Sequence, residues 1–290
     1  MATPLPIKNR IERLKSEFDR LKSGKESLLK IIDEAEVPES VYNSNAIENS
    51  TLTLKETEKI LLEMELSGNL SLREVFEAKN LARVMEYIRK LQKEDLSKEK
   101  VLLYHQMFLG NIDESIAGRF RKKNEYVRIG THIALPPEHI ERRIEDILIE
   151  FSSDLRLYFT DKIAKFHLDF ENIHPFLDGN GRIGRVLINY QLYSLGFPGI
   201  IIRHKEQKNY YRGFVAYRDS KNTKIMERIV TLALLEALHK RIAYLKGMDV
   251  IELMEYARKS NMSPSAVLNA AKRQTIPAFR EKGVWSIGIK

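Results

Sequence analysis

His174-Pro175-Phe176-Leu177-Asp178-Gly179-Asn180-Gly181-Arg182-Ile183-Gly184-Arg185 concentrates the chemistry of this 290-residue chain. Glycines flank Asn180 on both sides, so backbone N–H groups can approach an anion where a following helix presents its unpaired donors. Arg182 and Arg185 lie three apart. On that helix both guanidinium groups fall on adjacent parts of one face, leaving Ile183, Val186, Leu187 and Tyr190 for the buried face. Two arginines beside an anion site suit a polyphosphate better than a single carboxylate. Asp178 is a hard oxygen ligand, and Mg²⁺ bound to phosphates needs few protein carboxylates. His174 is the natural general base, because an imidazole with an ordinary pKa of ~6.5 is largely neutral at pH 7. Residues 179–184 also satisfy G-x-G-x-x-G, but a dinucleotide fingerprint needs a buried strand before it. Residues 161–171 have helical spacing instead, with Ile163, Phe166, His167 and Phe170 on one face.

Helical periodicity also governs the first hundred residues. Ile11, Leu14, Phe18 and Leu21 form one stripe; a helix is expected over 54–66 with Ile60, Leu61 and Met64 inward, stopped by Ser67-Gly68-Asn69. Another is expected over 72–91, carrying Val75, Ala78, Leu81, Val84, Met85 and Ile88. Between 119 and 135 the pattern changes to Phe120, Tyr126, Val127, Ile129 and Ile133 around Gly130, closed by Pro136-Pro137, which predicts a β-hairpin. Helix resumes over 139–158 and from Asn180 to a stop at Gly196-Phe197-Pro198. Near the C-terminus, short helices are expected over 250–257 and 264–271, the second capped by Ser263, before a strand-like stretch over 279–289.

The segment 174–185 resembles the Fic (filamentation induced by cAMP) motif, H-P-F-x-[D/E]-G-N-G-R-x-x-R, and meets all nine fixed positions. The resemblance implies a mainly α fold: a helical Fic core over 97–240 with a β-hairpin flap, a helical N-terminal region over 1–96 and a small α/β module over 248–290. It implies an enzyme that transfers AMP from Mg·ATP to a Ser, Thr or Tyr hydroxyl of a target protein and of itself. In that scheme His174 deprotonates the hydroxyl, Phe176 anchors the loop and Asp178 holds Mg²⁺. Gly179, Asn180 and Gly181 line the anion hole, Arg182 binds the phosphates and Arg185 the γ-phosphate, with Ile183 and Gly184 inside the same nucleotide-binding run. The hairpin, with Ile129, Gly130, Thr131 and His132, is similar to the flap that clamps the target by strand addition. Asn189, Tyr210 and Tyr211 match positions that contact the nucleoside in relatives. Seven residues after Tyr211, where some relatives carry Asn, this chain has Arg218.

Ser44-Asn45-Ala46-Ile47-Glu48-Asn49 resembles the family's inhibitory motif, [S/T]-x-x-x-E-[G/N], with Ser44 and Glu48 on one face if helical. The resemblance implies that Glu48 pairs with Arg185, keeps the γ-phosphate from seating and spoils the alignment of the α-phosphate. In some relatives that glutamate also positions water to remove AMP, so a de-AMPylase or a dual-direction enzyme stays open.

Composition bounds the rest. The absence of cysteine rules out thiol catalysis, Cys-ligated zinc, iron–sulfur clusters and disulfides. Lys+Arg exceed Asp+Glu by 48 to 40, a charge of +8, but both signs are interspersed almost everywhere, which reads as a solvated surface. No leader-like apolar core and no stretch of the ~20 apolar residues needed for a span occur, so a cytoplasmic protein with no membrane partner is expected. Residues 248–290 carry a local excess of seven basic over four acidic side chains and loosely resemble a winged helix-turn-helix. DNA is therefore a further expected partner, and a DNA-binding regulator with a nucleotide-sensing Fic domain is the alternative from another class. Relatives often dimerise, which puts a homodimer among the expected assemblies. A metal-hydrolase cluster of His167, Asp169, Glu171, His174 and Asp178 is a weaker rival, because Asp169 points away from the face shared by the others.

Overall fold

Two adjacent helices contribute to both large apolar cores of the described residues. The computed structural model describes residues 3–65, 70–90 and 94–289. Its main body consists of α1 (Leu5–Lys22), α2 (Glu26–Ile47), α3 (Leu54–Glu58), α4 (Leu72–Lys90), α5 (Lys98–Leu109), α6 (Ile140–Ser153), α7 (Phe159–Ile173), α8 (Asn180–Ser194), α9 (Gln207–Ser220) and α10 (Lys224–Leu245). The central pair is α7 and α8, which pack on each other. Phe166, Phe170, Ile183, Val186, Leu187 and Tyr190 face a core shared with α4, α5 and α6. Ile163, Leu168, Ile188 and Leu192 face a second core shared with α1, α9 and α10. Each such side chain removed from water contributes about 1.5–3 kcal/mol, so α8, apolar on two sides, is held from both. Ile11, Leu14 and Phe18 of α1 sit in the same core as α10, so the first helix of the main body closes onto its last.

Local chemistry explains several boundaries. Thr53 and Glu56 form a capping box at α3: the Glu56 N–H donates to Thr53 Oγ1 at 3.2 Å, and the Thr53 N–H donates to Glu56 Oε2 at 2.7 Å. The helix expected over 54–66 changes after Glu58 into a π-helical turn, Lys59–Glu63, and ends at Met64 in a left-handed conformation. Ile60 is buried as expected, but this widened turn leaves Met64 exposed. The stop signal at 67–69 and the end of the helix expected at residue 91 lie outside the described residues.

The expected hairpin is shorter than its apolar pattern. β1 (Arg128–Ile129) and β2 (His132–Ile133) pair around Gly130-Thr131, with Gly130 at φ +57, and one further bond, from the Ala134 N–H to the Val127 carbonyl at 3.0 Å, extends the hairpin. The preceding chain is held instead by Arg121, a buried guanidinium that donates to the carbonyls of Glu125, Leu135, Ile173 and His174. Those bonds replace strand pairing with a side-chain strap.

After α10 comes a compact module of β3 (Asp249–Glu252), α11 (Leu253–Lys259), α12 (Pro264–Lys272), β4 (Ala278–Glu281) and β5 (Val284–Ile289). Its sheet has the order β3-β5-β4, all antiparallel, over a core of Leu253, Ala257, Val267, Ala271, Ala278 and Ile287. Residues 250–252, expected as helix, are strand because Val250, Ile251 and Glu252 pair with Gly288, Ile287 and Ser286. Ser263 stands at the start of α12, but its hydroxyl bonds Ser265 Oγ at 2.9 Å and does not cap the helix. The β4–β5 wing is turned inward onto α10, where Gly288 lies so close that a Cβ would meet Ala243 Cβ at 2.9 Å. Among the basic residues that suggested DNA, Arg280 is held by Glu236 and Glu206, Lys282 by Glu58 and Lys259 by Glu255. No described helix is long and apolar enough to cross a membrane.

Candidate active site

Residues 174–179 connect α7 to α8, and each turn of this loop has a local cause. His174 ends α7 in a left-handed conformation, φ +51, a strained geometry for a residue with a Cβ. Its carbonyl is caught by Arg121 Nε at 2.9 Å, and the Arg121 N–H donates to the Pro175 carbonyl at 2.9 Å. Phe176 is fully buried and stacks on His105 with centroids 3.7 Å apart. The Asn180 side chain closes the loop by accepting from the Phe176 N–H at 2.9 Å and donating to its carbonyl at 2.8 Å. Gly179, at φ +81, starts α8 where a side chain would press on Phe108.

The first turn of α8 is positive by construction of the helix dipole, and a carboxylate already sits there. Glu48, at the C-terminal end of α2, places Oε1 2.1 Å from where a Cβ on Gly181 would be, so only glycine leaves it room. Arg185 Nη2 donates to the same oxygen at 2.9 Å. Arg185 is buried and otherwise committed to α2 and α9: Nε donates to Ser44 Oγ at 2.9 Å, Nη2 to the Ser44 carbonyl at 2.8 Å and Nη1 to Tyr210 Oη at 3.3 Å. The neighbouring carboxylate and the tyrosine hydroxyl dipole keep this guanidinium charged despite burial. Ser44 and Glu48 thus lie at the end of a helix, where Glu48 is its cap and Asn49 turns left-handed at φ +66.

Arg182 faces the other way, into a ring of four charges. Its Nη1 pairs with Glu77 Oε2 and its Nη2 with Asp178 Oδ1, both at 2.8 Å. Arg73 pairs with Glu77 at 3.0 Å and also with Asp178. Glu77 and Arg73 come from α4, one turn apart. Asp178 is a single, partly exposed carboxylate at the lip of the loop, and no group of three potential metal-binding side chains gathers among the described residues. That donor set fits Mg²⁺ carried in mainly by phosphate oxygens and does not fit a resident metal centre. The metal-hydrolase grouping fails on geometry, because Asp169 is bound to Lys165 and to the Tyr217 hydroxyl.

His174 opens onto a cavity of about 660 Å³ lined also by Glu48, Asn49, Gly181, Tyr210, Tyr211 and the flap residues Ile129, Gly130 and His132. The Nδ1 edge of the imidazole is buried, 3.9 Å from Glu171 Oε2, which leaves Nε2 as the nitrogen available to a substrate. Burial holds its pKa down to about 4, so the ring is neutral at pH 7 and ready to accept a proton. Burial, with Glu48 nearby, pushes the Glu171 carboxyl up to about 8. Across the cavity His132 Nδ1 bonds Arg218 Nη1 at 3.0 Å, joining flap to α9.

The family model of the Fic/DOC family matches residues 95–192. Over those residues the chain carries a Fic domain. "Protein adenylyltransferase Fic" of Drosophila melanogaster is 33% identical over 213 residues, 70% of this chain and 42% of the relative. The protein of the same name from Nematostella vectensis is 30% identical over 210 residues, 70% of this chain and 48% of the relative. The chain therefore spans less than half the length of these curated relatives. A Fic-domain signaling protein from Bacteroides thetaiotaomicron superposes with TM-score 0.73 at 25% identity, covering 82% of this chain and 97% of that one. A Fic family protein from Desulfovibrio desulfuricans shares the fold over 99% of this chain and 97% of that one, at TM-score 0.63 and 18% identity.

The Fic domain does not gather every expected residue at its cavity. Asn189 is spent on Ile200, donating to its carbonyl at 3.1 Å and accepting from its N–H at 2.8 Å, and does not line the cavity. Ile183 is buried core, and Gly184 is needed because a Cβ would meet Glu171 Oε1 at 2.7 Å. Thr131 is at the tip of the flap turn, outside the cavity lining. Tyr210 is buried with its hydroxyl 2.7 Å from His167 Nε2, while Tyr211 donates to the Ile47 carbonyl at 2.9 Å. Glu77 and Arg73 went unread in the sequence. The signal for Glu77 is a lone acid inside the apolar stripe of α4, at a position that helical spacing sends inward.

Proposed function

We propose that this chain transfers AMP from ATP to a hydroxyl of a protein, itself included, and that Glu48 holds the reaction in check. One observation carries the reading: the Glu48 carboxylate lies over Gly181 at the start of α8, bonded to Arg185, in the same cavity as His174. A carboxylate there mimics the anion for which the helix start and two arginines are suited. With ATP seated, the phosphate chain takes the α8 N-terminus and Arg182, and its γ-phosphate competes with Glu48 for Arg185. Nε2 of the neutral His174 accepts the target hydroxyl proton as the oxygen bonds the α-phosphorus. The bond to the β-phosphate oxygen breaks and pyrophosphate leaves. Asp178 would hold Mg²⁺, whose chemistry here is neutralisation of phosphate charge. The exposed edge of the flap beside His174 supports presentation of the target as an added strand. We assign 1–96 as the brake-bearing region, 97–240 as the catalytic domain and 248–290 as an accessory module.

A second reading is removal of AMP. Glu48 meets Arg185 through Oε1 alone, which leaves Oε2 in the cavity to orient a water.

The test compares wild type, Glu48→Gly and Glu48→Gly/His174→Ala, with α- or γ-labelled ATP and Mg²⁺. Label from α-ATP only, strongest in Glu48→Gly and absent from the double variant, is expected. Equal labelling of wild type and Glu48→Gly at saturating Mg·ATP removes the brake, and label from γ-ATP removes AMP transfer.

A further inference from the structure

The C-terminal wing grips the helix that carries the brake. Glu39 of α2 is 4% exposed, yet its carboxylate is fully engaged. Oε2 accepts from the Lys282 N–H at 3.0 Å, and Oε1 accepts from the Gly283 N–H at 2.9 Å and from Arg203. Lys282 and Gly283 form the tip of the β4–β5 hairpin, both left-handed at φ +49 and +81. Consecutive N–H groups at such a turn make a small anion nest, and Glu39 fills it.

The grip extends around this contact. Arg203 also binds Glu236 of α10 at 2.9 Å; Glu236 in turn holds Arg280 of β4 at 2.6 Å, and Arg280 reaches Glu206 at 2.8 Å. At the edge, Lys282 Nζ pairs with Glu58 Oε1 at 2.9 Å. Glu39, Asn43 and Ile47 recur every four residues, so they share one face of α2. Further along that face the turn before α9 and the first residue of α9 take over, with the His204 N–H donating to Asn43 Oδ1 at 2.9 Å and Gln207 Nε2 to the Ile47 carbonyl at 2.6 Å. The next residue is Glu48. The position of its carboxylate over Gly181 is thus set by a helix fastened to the C-terminal module.

We propose that residues 248–290 act as the holder of the brake: the wing tip fixes α2, and movement of the wing away from Glu39 releases Glu48 from Arg185. This rests on the autoinhibited AMP-transfer reading above. It gives the module a regulatory task within the chain, and it accounts for a wing whose cations Arg280 and Lys282 meet carboxylates of the main body.

The exposed pair Lys282–Glu58 allows a test that spares the buried network. In the full chain, Lys282→Glu, Glu58→Lys and the charge-swapped double variant are compared, each with and without Glu48→Gly. Amide hydrogen exchange over 39–48 and label from α-ATP are both read. Lys282→Glu is expected to speed exchange over 39–48 and raise transfer by about fivefold, the factor corresponding to loss of one well-placed pair. The swap restores both, and on Glu48→Gly no further rise in transfer occurs. Unchanged exchange in Lys282→Glu overturns the grip. Faster exchange without more transfer, in a protein that Glu48→Gly does activate, overturns the link to the brake. If Glu48→Gly itself fails to activate, the autoinhibition reading falls, and exchange alone decides whether the wing holds α2.

Discussion

Glu171→Gln should stabilise the protein by an amount that grows with pH. Glu171 lies in the last turn of α7 with Oε1 buried and without a hydrogen-bond partner, pressed against Gly184. Burial raises its carboxyl from 4.5 to about 8; the Glu48 charge adds to this, and Arg185 opposes it. His167, Tyr210 and His174 complete its surroundings: Arg185 and burial keep His167 neutral, Tyr210 stays protonated, and burial keeps His174 neutral. The folded state therefore retains a proton that the unfolded chain loses above 4.5. Stability is present in full below 4.5 and is lost as pH rises through about 8. From 4.5 to 7 is 2.5 pH units, which at about 1.36 kcal/mol per unit gives an upper bound of about 3 kcal/mol at pH 7. Glutamine has the same shape and does not titrate, so its advantage should be under about 1 kcal/mol at pH 5 and approach about 3 kcal/mol at pH 7. Urea unfolding of both proteins at pH 5, 7 and 8.5 measures the gap. A gap that does not change with pH would refute the reasoning. On Glu48→Gly, which removes the neighbouring charge, the pH dependence should shrink.

Gly181→Ala should cost about 1–3 kcal/mol in wild type, where the new methyl collides with Glu48, and much less in Glu48→Gly. Thermal unfolding in a double-variant cycle reads the coupling, and additivity would exclude the contact. Glu77→Ala should weaken ATP about tenfold by calorimetric titration, because Arg182 loses the charged hydrogen bond that aims it, and Glu77→Gln should recover part of the loss. Equal affinities in all three proteins would remove Glu77 from the site.

Much of the site was readable because its residues are consecutive. The segment 174–185 specifies its own turn, helix start and spacing of arginines, and these survive into the structure with Arg182 and Arg185 on α8. Helices α6, α7 and α8 likewise follow from apolar periodicity and end signals. Long-range polar contacts are different. Glu77 and Arg182, or Glu39 and Lys282, are separated by a hundred residues or more, and the inward position of Glu77 on α4 does not say which distant residue it meets. Strand β3 was misread for a similar reason: Val250 and Ile251 tolerate a helix, and only the partner strand near Ile287 decides otherwise. The flap was found but drawn too long, because the buried Arg121 substitutes side-chain hydrogen bonds for strand pairs.

The central position of α8 has a consequence for how this fold fails. Its residues are divided between both large hydrophobic cores, so neither core can melt without dislodging the turn at Gly179–Arg182. Heat inactivation and loss of tertiary structure should coincide, leaving no partly unfolded form that still binds nucleotide. A helix anchored on two sides also leaves the motif itself little freedom to move. Any control over the proposed reaction then falls to the parts laid against it from outside, which can shift without the fold coming apart.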